Sequence, residues 1–219
     1  MIEHAIWTAG LAAHLLLIAV LVGRGWARRF PFFTLLIAFD VVRALALALV
    51  LSHLARPELL LASRVFDTAD LLLEFAVLAE LVLTALWPLG KLRRIAWPLL
   101  LLACGVLIVS RVAPVRHYNH GLAALLLHFL LGVLFTEWAI ALALLLRPLG
   151  LRWRAGVAAI SFGYGLYSAV LIFAGGYFRL GRDLSDYIFF SYLRIAVYLL
   201  VVLWWILSLW RGERAAART

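Results

Sequence analysis

Seven runs of apolar residues follow one another along the chain, and short polar joints separate them. A helix rises about 1.5 Å per residue, so about 20 apolar residues cross a hydrocarbon core of about 30 Å. The pattern therefore predicts an all-α polytopic membrane protein, a bundle of seven transmembrane helices that forms a single domain over residues 1–219. The predicted spans are residues 5–23, 31–52, 67–87, 94–112, 121–146, 155–174 and 186–210.

The basic residues between the spans predict the direction of the bundle. Twelve of the 20 Lys and Arg residues lie in the joints on one side, and six lie on the other. Cytoplasmic loops carry the excess of positive charge in membrane proteins. The count therefore predicts the N-terminus outside and the C-terminus in the cytoplasm.

The composition agrees with a membrane protein and argues against a nucleic-acid-binding one. Hydrophobic residues make up 67% of the chain and charged residues 14%, whereas soluble domains are about 45–50% apolar. The net charge of +9 comes from short arginine clusters between apolar runs. Such clusters are typical of loop anchors, and we expect the lipid bilayer, not nucleic acid, as the partner.

Ionisable residues recur within the predicted spans, where a charge is costly and is a functional candidate by default. Helical spacing groups them, because Asp67, Asp70 and Glu74 share one stripe at i, i+3 and i+7. Arg194 lies in the seventh span on a stripe with Ser191 and Tyr198. Five carboxylates and two arginines cannot all pair, so some carboxylates must be hydrated or held protonated by burial.

Some of these ionisable residues are predicted to lie at the same depth in the membrane. Glu74 and Arg194 both lie about 10–12 Å from the outer end of their spans. We expect Arg194 to share the charge of Glu74 in an outward-opening polar pocket, and the surplus arginine to attract an anion. The alternative is that these residues only hold the helices together. The ligand-binding candidates are Arg43, Asp70, Glu74, His128, Tyr164, Tyr167, Ser191 and Arg194, and a deeper polar set comprises Asp40, Glu80 and Glu137.

No cofactor is expected, although histidines leave two options open. His117 and His120 have a spacing that could hold zinc or copper at the outer surface. His14 and His128 could ligate a haem between the first and fifth spans. Retinal is excluded, because its Schiff base needs a lysine in the last helix and Lys91 is the only lysine. No nucleophile–base motif is present, so no catalytic residue is expected and the protein is not expected to be an enzyme.

The second and third spans carry one family resemblance. The segment RRFPFF leads into the second span, Arg43 lies within it, and LLLEFAVLAEL forms part of the third. This arrangement resembles small uncharacterised bacterial seven-helix inner-membrane proteins, and it departs from them at Phe39-Asp40, where an aromatic pair is expected. The resemblance implies a multi-pass protein of the bacterial inner membrane and no particular activity.

Three functions follow as hypotheses. The first is a membrane protein that binds a small anionic ligand or serves as a subunit of a larger complex, with other membrane subunits or copies of itself as partners. The second is a small-solute or proton-coupled transporter, and the third, least favoured, is an intramembrane enzyme. Polar residues that continue to the cytoplasmic side would favour transport.

Overall fold

The chain folds into helices wherever its structure is described. The computed structural model describes the backbone of residues 2–49, 56–87, 120–145, 155–178 and 184–216, and the side chains of most residues within these ranges. Over these ranges it contains no strand. The seven helices are α1 (Ile2–Gly23), α2 (Trp26–Arg29), α3 (Pro31–Leu49), α4 (Arg56–Ala85), α5 (His120–Leu145), α6 (Ala155–Phe178) and α7 (Leu184–Ala216).

Four of these helices are long and apolar enough to cross a membrane. The qualifying segments are Ile6–Gly23, Pro31–Leu49, Gly156–Phe173 and Phe189–Gly212. The described part of the chain is therefore all-helical, as predicted, and its four apolar helices are typical of a membrane protein. The seven-span count and the orientation stay predictions, and the predicted span 94–112 lies outside the described residues.

The third and fifth predicted spans do form helices, but each differs from a uniform apolar span. α4 is 30 residues long and carries Asp67, Asp70, Glu74 and Glu80 along its length. These charges keep its average hydropathy low. In α5, the part with described side chains contains a shorter apolar segment, Leu130–Ala141.

The chain divides into two compact units, and the first comprises Met1–Val77 with Trp205–Thr219. Here α1 packs against α3, and the apolar faces of both are buried at Leu17, Leu21, Phe33 and Ile37. The Phe33 ring meets the fully buried Trp205 ring edge to face, with centroids 5.0 Å apart. Aromatic pairs of this geometry stabilise a core by about 0.5–1.5 kcal/mol beyond their area.

Two tryptophans, Trp26 and Trp210, join the turn after α1 to the end of α7. Gly25 adopts φ 72°, a left-handed conformation that glycine accepts without strain, and turns the chain from α1 into α2. The Trp26 indole N–H then donates to the Leu209 carbonyl at 3.0 Å. The Arg24 guanidinium lies 4.3 Å from the centre of the Trp210 ring. The basic turn after α1 and the end of α7 therefore lie at the same end of the unit.

In the second unit, Leu78–Trp204, α5 packs along α6. α5 and α6 approach at Gly165, where an added Cβ would lie 2.5 Å from the Ala139 Cβ. Small residues let helix backbones come this close in membranes, where association depends on packing and not on water exclusion. This contact fixes the register of α5 against α6.

Candidate functional site

A charged cluster joins α3 to α4 in the first unit. The Arg43 guanidinium donates from Nη1 to Asp70 Oδ2 at 2.9 Å and from Nη2 to Asp67 Oδ1 at 3.2 Å. The Asp70 side chain is 17% exposed and the Asp67 side chain 34%. Asp70 therefore forms the shorter and more sheltered of the two charge-assisted hydrogen bonds.

A histidine–aspartate contact links α1 to α3. His14 Nδ1 donates to the Gly10 carbonyl at 2.6 Å, and His14 Nε2 lies 3.8 Å from Asp40 Oδ2. Because a carbonyl oxygen only accepts, Nδ1 carries a proton. In the neutral ring Nε2 is then an acceptor. The imidazole on α1 and the carboxylate on α3 therefore face each other across the contact between these helices.

Glu74 belongs to the same cluster. It lies on α4 one turn beyond Asp70, is half-buried, and interacts electrostatically with Asp70, Asp40 and Arg43. We call the set His14, Asp40, Arg43, Asp67, Asp70 and Glu74 the charged cluster. It contains four carboxylates but only one guanidinium and one imidazole.

Helical periodicity explains why these residues meet. Asp67, Asp70 and Glu74 recur at i, i+3 and i+7 and therefore share one face of α4. Asp40 and Arg43, three residues apart, share one face of α3 in the same way. The sequence-based candidates Asp40, Arg43, Asp70 and Glu74 thus come together in the structure.

The serine and tyrosine stripe of α6 packs against α5. The Trp138 indole N–H donates to the fully buried Ser161 hydroxyl at 3.0 Å. The Tyr164 ring, also buried, stacks on Phe135 with centroids 4.5 Å apart. These contacts hold α5 to α6, the function that interhelical polar residues commonly have in membranes.

The remaining candidates of the second unit are spread over several helices. The Tyr167 and Tyr198 rings lie 5.1 Å apart and join α6 to α7. Ser191 and Glu80 are half-buried, whereas Arg194 and Glu137 are exposed. Arg194 and Glu74 belong to different units, and the pairing expected between them stays a prediction.

Sequence reasoning did not place Asp67 or His14 among the ligand-binding candidates. Asp67 begins the acidic stripe of α4, and this periodicity was the available signal. His14 gave a weaker signal, because a single histidine in an apolar helix does not reveal its partner. The structure supplies that partner as Asp40.

The metal and haem hypotheses each need at least one histidine whose side chain is not among the described residues. The side chains of His117, His120 and His128 are not among the described residues. Within the described residues, no group of three His, Cys, Asp or Glu side chains is arranged to hold a metal ion.

The chain matches no known family model, no curated protein and no solved structure.

Proposed function

We propose that the chain is a multi-pass membrane protein that binds a small cationic solute at the charged cluster. The observation that carries this proposal is that Arg43 forms ion pairs with two aspartates at once, Asp67 and Asp70. Ionisable residues inside membrane spans mark solute and proton pathways by default. The cluster is the place in the described chain where such residues are concentrated.

The charge balance favours a cation over the anion expected from the sequence. The two terminal nitrogens of Arg43 already donate to Asp70 and Asp67. An anion would have to displace these carboxylates, while Glu74 and Asp40 repelled it. A cation is attracted by the same groups and needs no pair to break. The anionic ligand is the rival hypothesis, and it requires Arg194 to join the site.

We propose the topology predicted from the sequence: seven spans, N-terminus outside, C-terminus in the cytoplasm, in a bacterial inner membrane. The contact of Trp26 with Leu209 supports it. The end of α1 and the end of α7 meet, so an even number of crossings separates them. Six further spans after the first satisfy this condition. In that topology the charged cluster opens outward, because Asp67 lies at the outer end of its span.

The alternative function is a proton-coupled transporter, and the His14–Asp40 pair favours it specifically. Histidine and aspartate pairs that hold an exchangeable proton form the proton relays of pumps and transporters. A role as a subunit of a larger membrane complex stays a hypothesis from the sequence.

Thermal unfolding of the purified protein in nanodiscs tests whether the ligand is a cation or an anion. A ligand at 100 times its Kd stabilises the folded state by about 2.7 kcal/mol, which raises the Tm of a chain of this size by roughly 5–10 °C. We expect methylammonium chloride to raise the Tm above that in sodium chloride of equal ionic strength, and D70N to abolish this rise. A rise with sodium acetate and none with methylammonium would support the anionic rival instead.

A further inference from the structure

A group of arginines lies at the end of the first unit where α1 ends, α3 begins and α7 ends. Arg24 precedes the short helix α2, Arg28 and Arg29 are its last residues, and Arg211 lies in the last turns of α7. We call these four residues the arginine patch. It shares no residue with the charged cluster.

Contacts of two tryptophans bring the two parts of the patch together. The Trp26 indole N–H donates to the Leu209 carbonyl at 3.0 Å, across 183 residues of chain. The Arg29 guanidinium lies 5.3 Å from the centre of the Trp26 ring. The Arg24 guanidinium lies 4.3 Å from the centre of the Trp210 ring. The basic turn after α1 and the end of α7 therefore share one surface.

Most of the positive charge of the patch has no acidic partner. Arg28, Arg29 and Arg211 are exposed, and none of the three forms an ion pair in the described part of the chain. The sequence from 4 to 39 contains no acidic residue, and the segment after Arg211 contains one, Glu213, whose side chain is outside the described residues. A guanidinium presents its donors as a planar fork that matches the oxygens of a phosphate or a carboxylate. The ligand that fits this surface is therefore an anion with several oxygens.

The position of the patch favours the phosphate of a lipid among such anions. Two of the segments apolar enough to span a membrane end beside it, at Gly23 and Gly212, and a third begins beside it, at Pro31. When these helices cross a bilayer, the residues at their ends lie at the level of the lipid headgroups. Trp210, which is 50% exposed, is a residue typical of that level. Basic residues close to the end of a span are attracted to anionic lipids there.

From these observations we propose that the arginine patch binds the phosphate headgroup of one anionic phospholipid. Arginines from both ends of the chain form this site together, whereas a loop anchor uses the charges of one loop. The charged cluster is distant from it, because Arg43 lies twelve residues beyond Pro31 on α3, which is about 18 Å along the helix. The two proposals can therefore fail separately.

Removal of single charges tests the proposal. R29Q and R211Q each remove one charge from the patch, one on each of its two segments. R64Q is the matched control, because Arg64 is an exposed arginine of the same unit that lies on α4, outside the patch. Native mass spectrometry of the full chain, titrated with palmitoyl-oleoyl-phosphatidylglycerol, measures the Kd of the first bound lipid. We expect R29Q and R211Q each to raise this Kd about fivefold, equivalent to about 1 kcal/mol per arginine, and R64Q to leave it unchanged.

Two further ligands distinguish the source of the phosphate. Palmitoyl-oleoyl-phosphatidylcholine has the same acyl chains and no net charge, and we expect it to bind more weakly, with a Kd that R29Q and R211Q do not change. Inorganic phosphate in excess should not displace the phosphatidylglycerol. Displacement by inorganic phosphate would overturn the proposal, because it would identify a site for the free anion.

The variants provide the other contradicting results. Equal phosphatidylglycerol affinity in R29Q, R211Q and R64Q would overturn the proposal. So would an acidic protein that co-purifies with the parent chain and not with R211Q while the lipid affinity is unchanged, since the patch would then be a protein interface. R211Q carries the test alone if R29Q, which removes a contact with the Trp26 ring, fails to fold.

Discussion

The Arg43 guanidinium donates to the Asp70 carboxylate at 2.9 Å and so joins two helices across 27 residues of chain. Both groups lie within predicted membrane spans, where neither charge is tolerable alone. The pair therefore stabilises the contact between α3 and α4 and also belongs to the proposed site.

Removal of Arg43 should destabilise the protein, because Asp70 and Asp67 each lose a charge-assisted hydrogen bond. We expect R43A to lower the free energy of unfolding by about 1.5–3 kcal/mol, the range for hydrogen bonds to charged groups. D70N should cost more than D67N, because Asp70 is closer to the guanidinium and less exposed. Unfolding in mixed micelles measures all three variants. Equal stability of R43A and the parent protein would contradict the assignment.

The contact between α5 and α6 provides a second prediction with a matched control. G165A adds a methyl group 2.5 Å from the Ala139 Cβ, and overpacking of this kind costs about 1–3 kcal/mol. G132A, on the facing helix, places its methyl group 3.6 Å from the Ser168 Cβ, an ordinary van der Waals distance. We expect G132A to be neutral or stabilising. The same loss of thermal stability in both variants would refute the close approach at Gly165.

The hydrogen bond between Trp138 and Ser161 can be isolated by a double-mutant cycle. W138F and S161A each remove one partner of the 3.0 Å bond. Interhelical hydrogen bonds in membranes couple by about 0.6 kcal/mol on average, and we expect a coupling energy of that size. A coupling energy of zero would show that the stripe on α6 does not hold α5 by this bond.

The helical character of the chain and one side of the charged cluster could be predicted from the sequence. The apolar runs predict the helices, and the spacing of Asp67, Asp70 and Glu74 predicts their shared face. The residues on other helices that contact this face could not be predicted from the spacing. Periodicity gives the direction of a residue around its own helix but not which neighbouring helix lies there. The sequence predicts Arg194 as the partner of Glu74 on the acidic stripe. In the structure, Arg43 donates to the other two members of this stripe, Asp70 and Asp67.

The proposed topology has a direct chemical test. In a C104A background, a cysteine in place of Glu58 should react with a membrane-impermeant maleimide applied to intact cells. A cysteine in place of Arg211 should react only after the membrane is opened. Glu58 and Arg211 are both exposed, so access to the reagent is comparable. Reaction of the second cysteine in intact cells, or protection of the first, would reverse the orientation.

The most direct test of the charged cluster is its electrostatic potential, measured at Glu74. In the C104A background, E74C places a thiol inside the cluster and leaves three carboxylates against Arg43 and His14. Intact cells are then treated with methanethiosulfonates that carry either a trimethylammonium or a sulfonate group. We predict that the cationic reagent reacts about tenfold faster than the anionic one, as local potentials of this kind allow, and that D70N reduces the ratio. Faster reaction of the anionic reagent, or no reaction from outside, would contradict an outward-opening cation site.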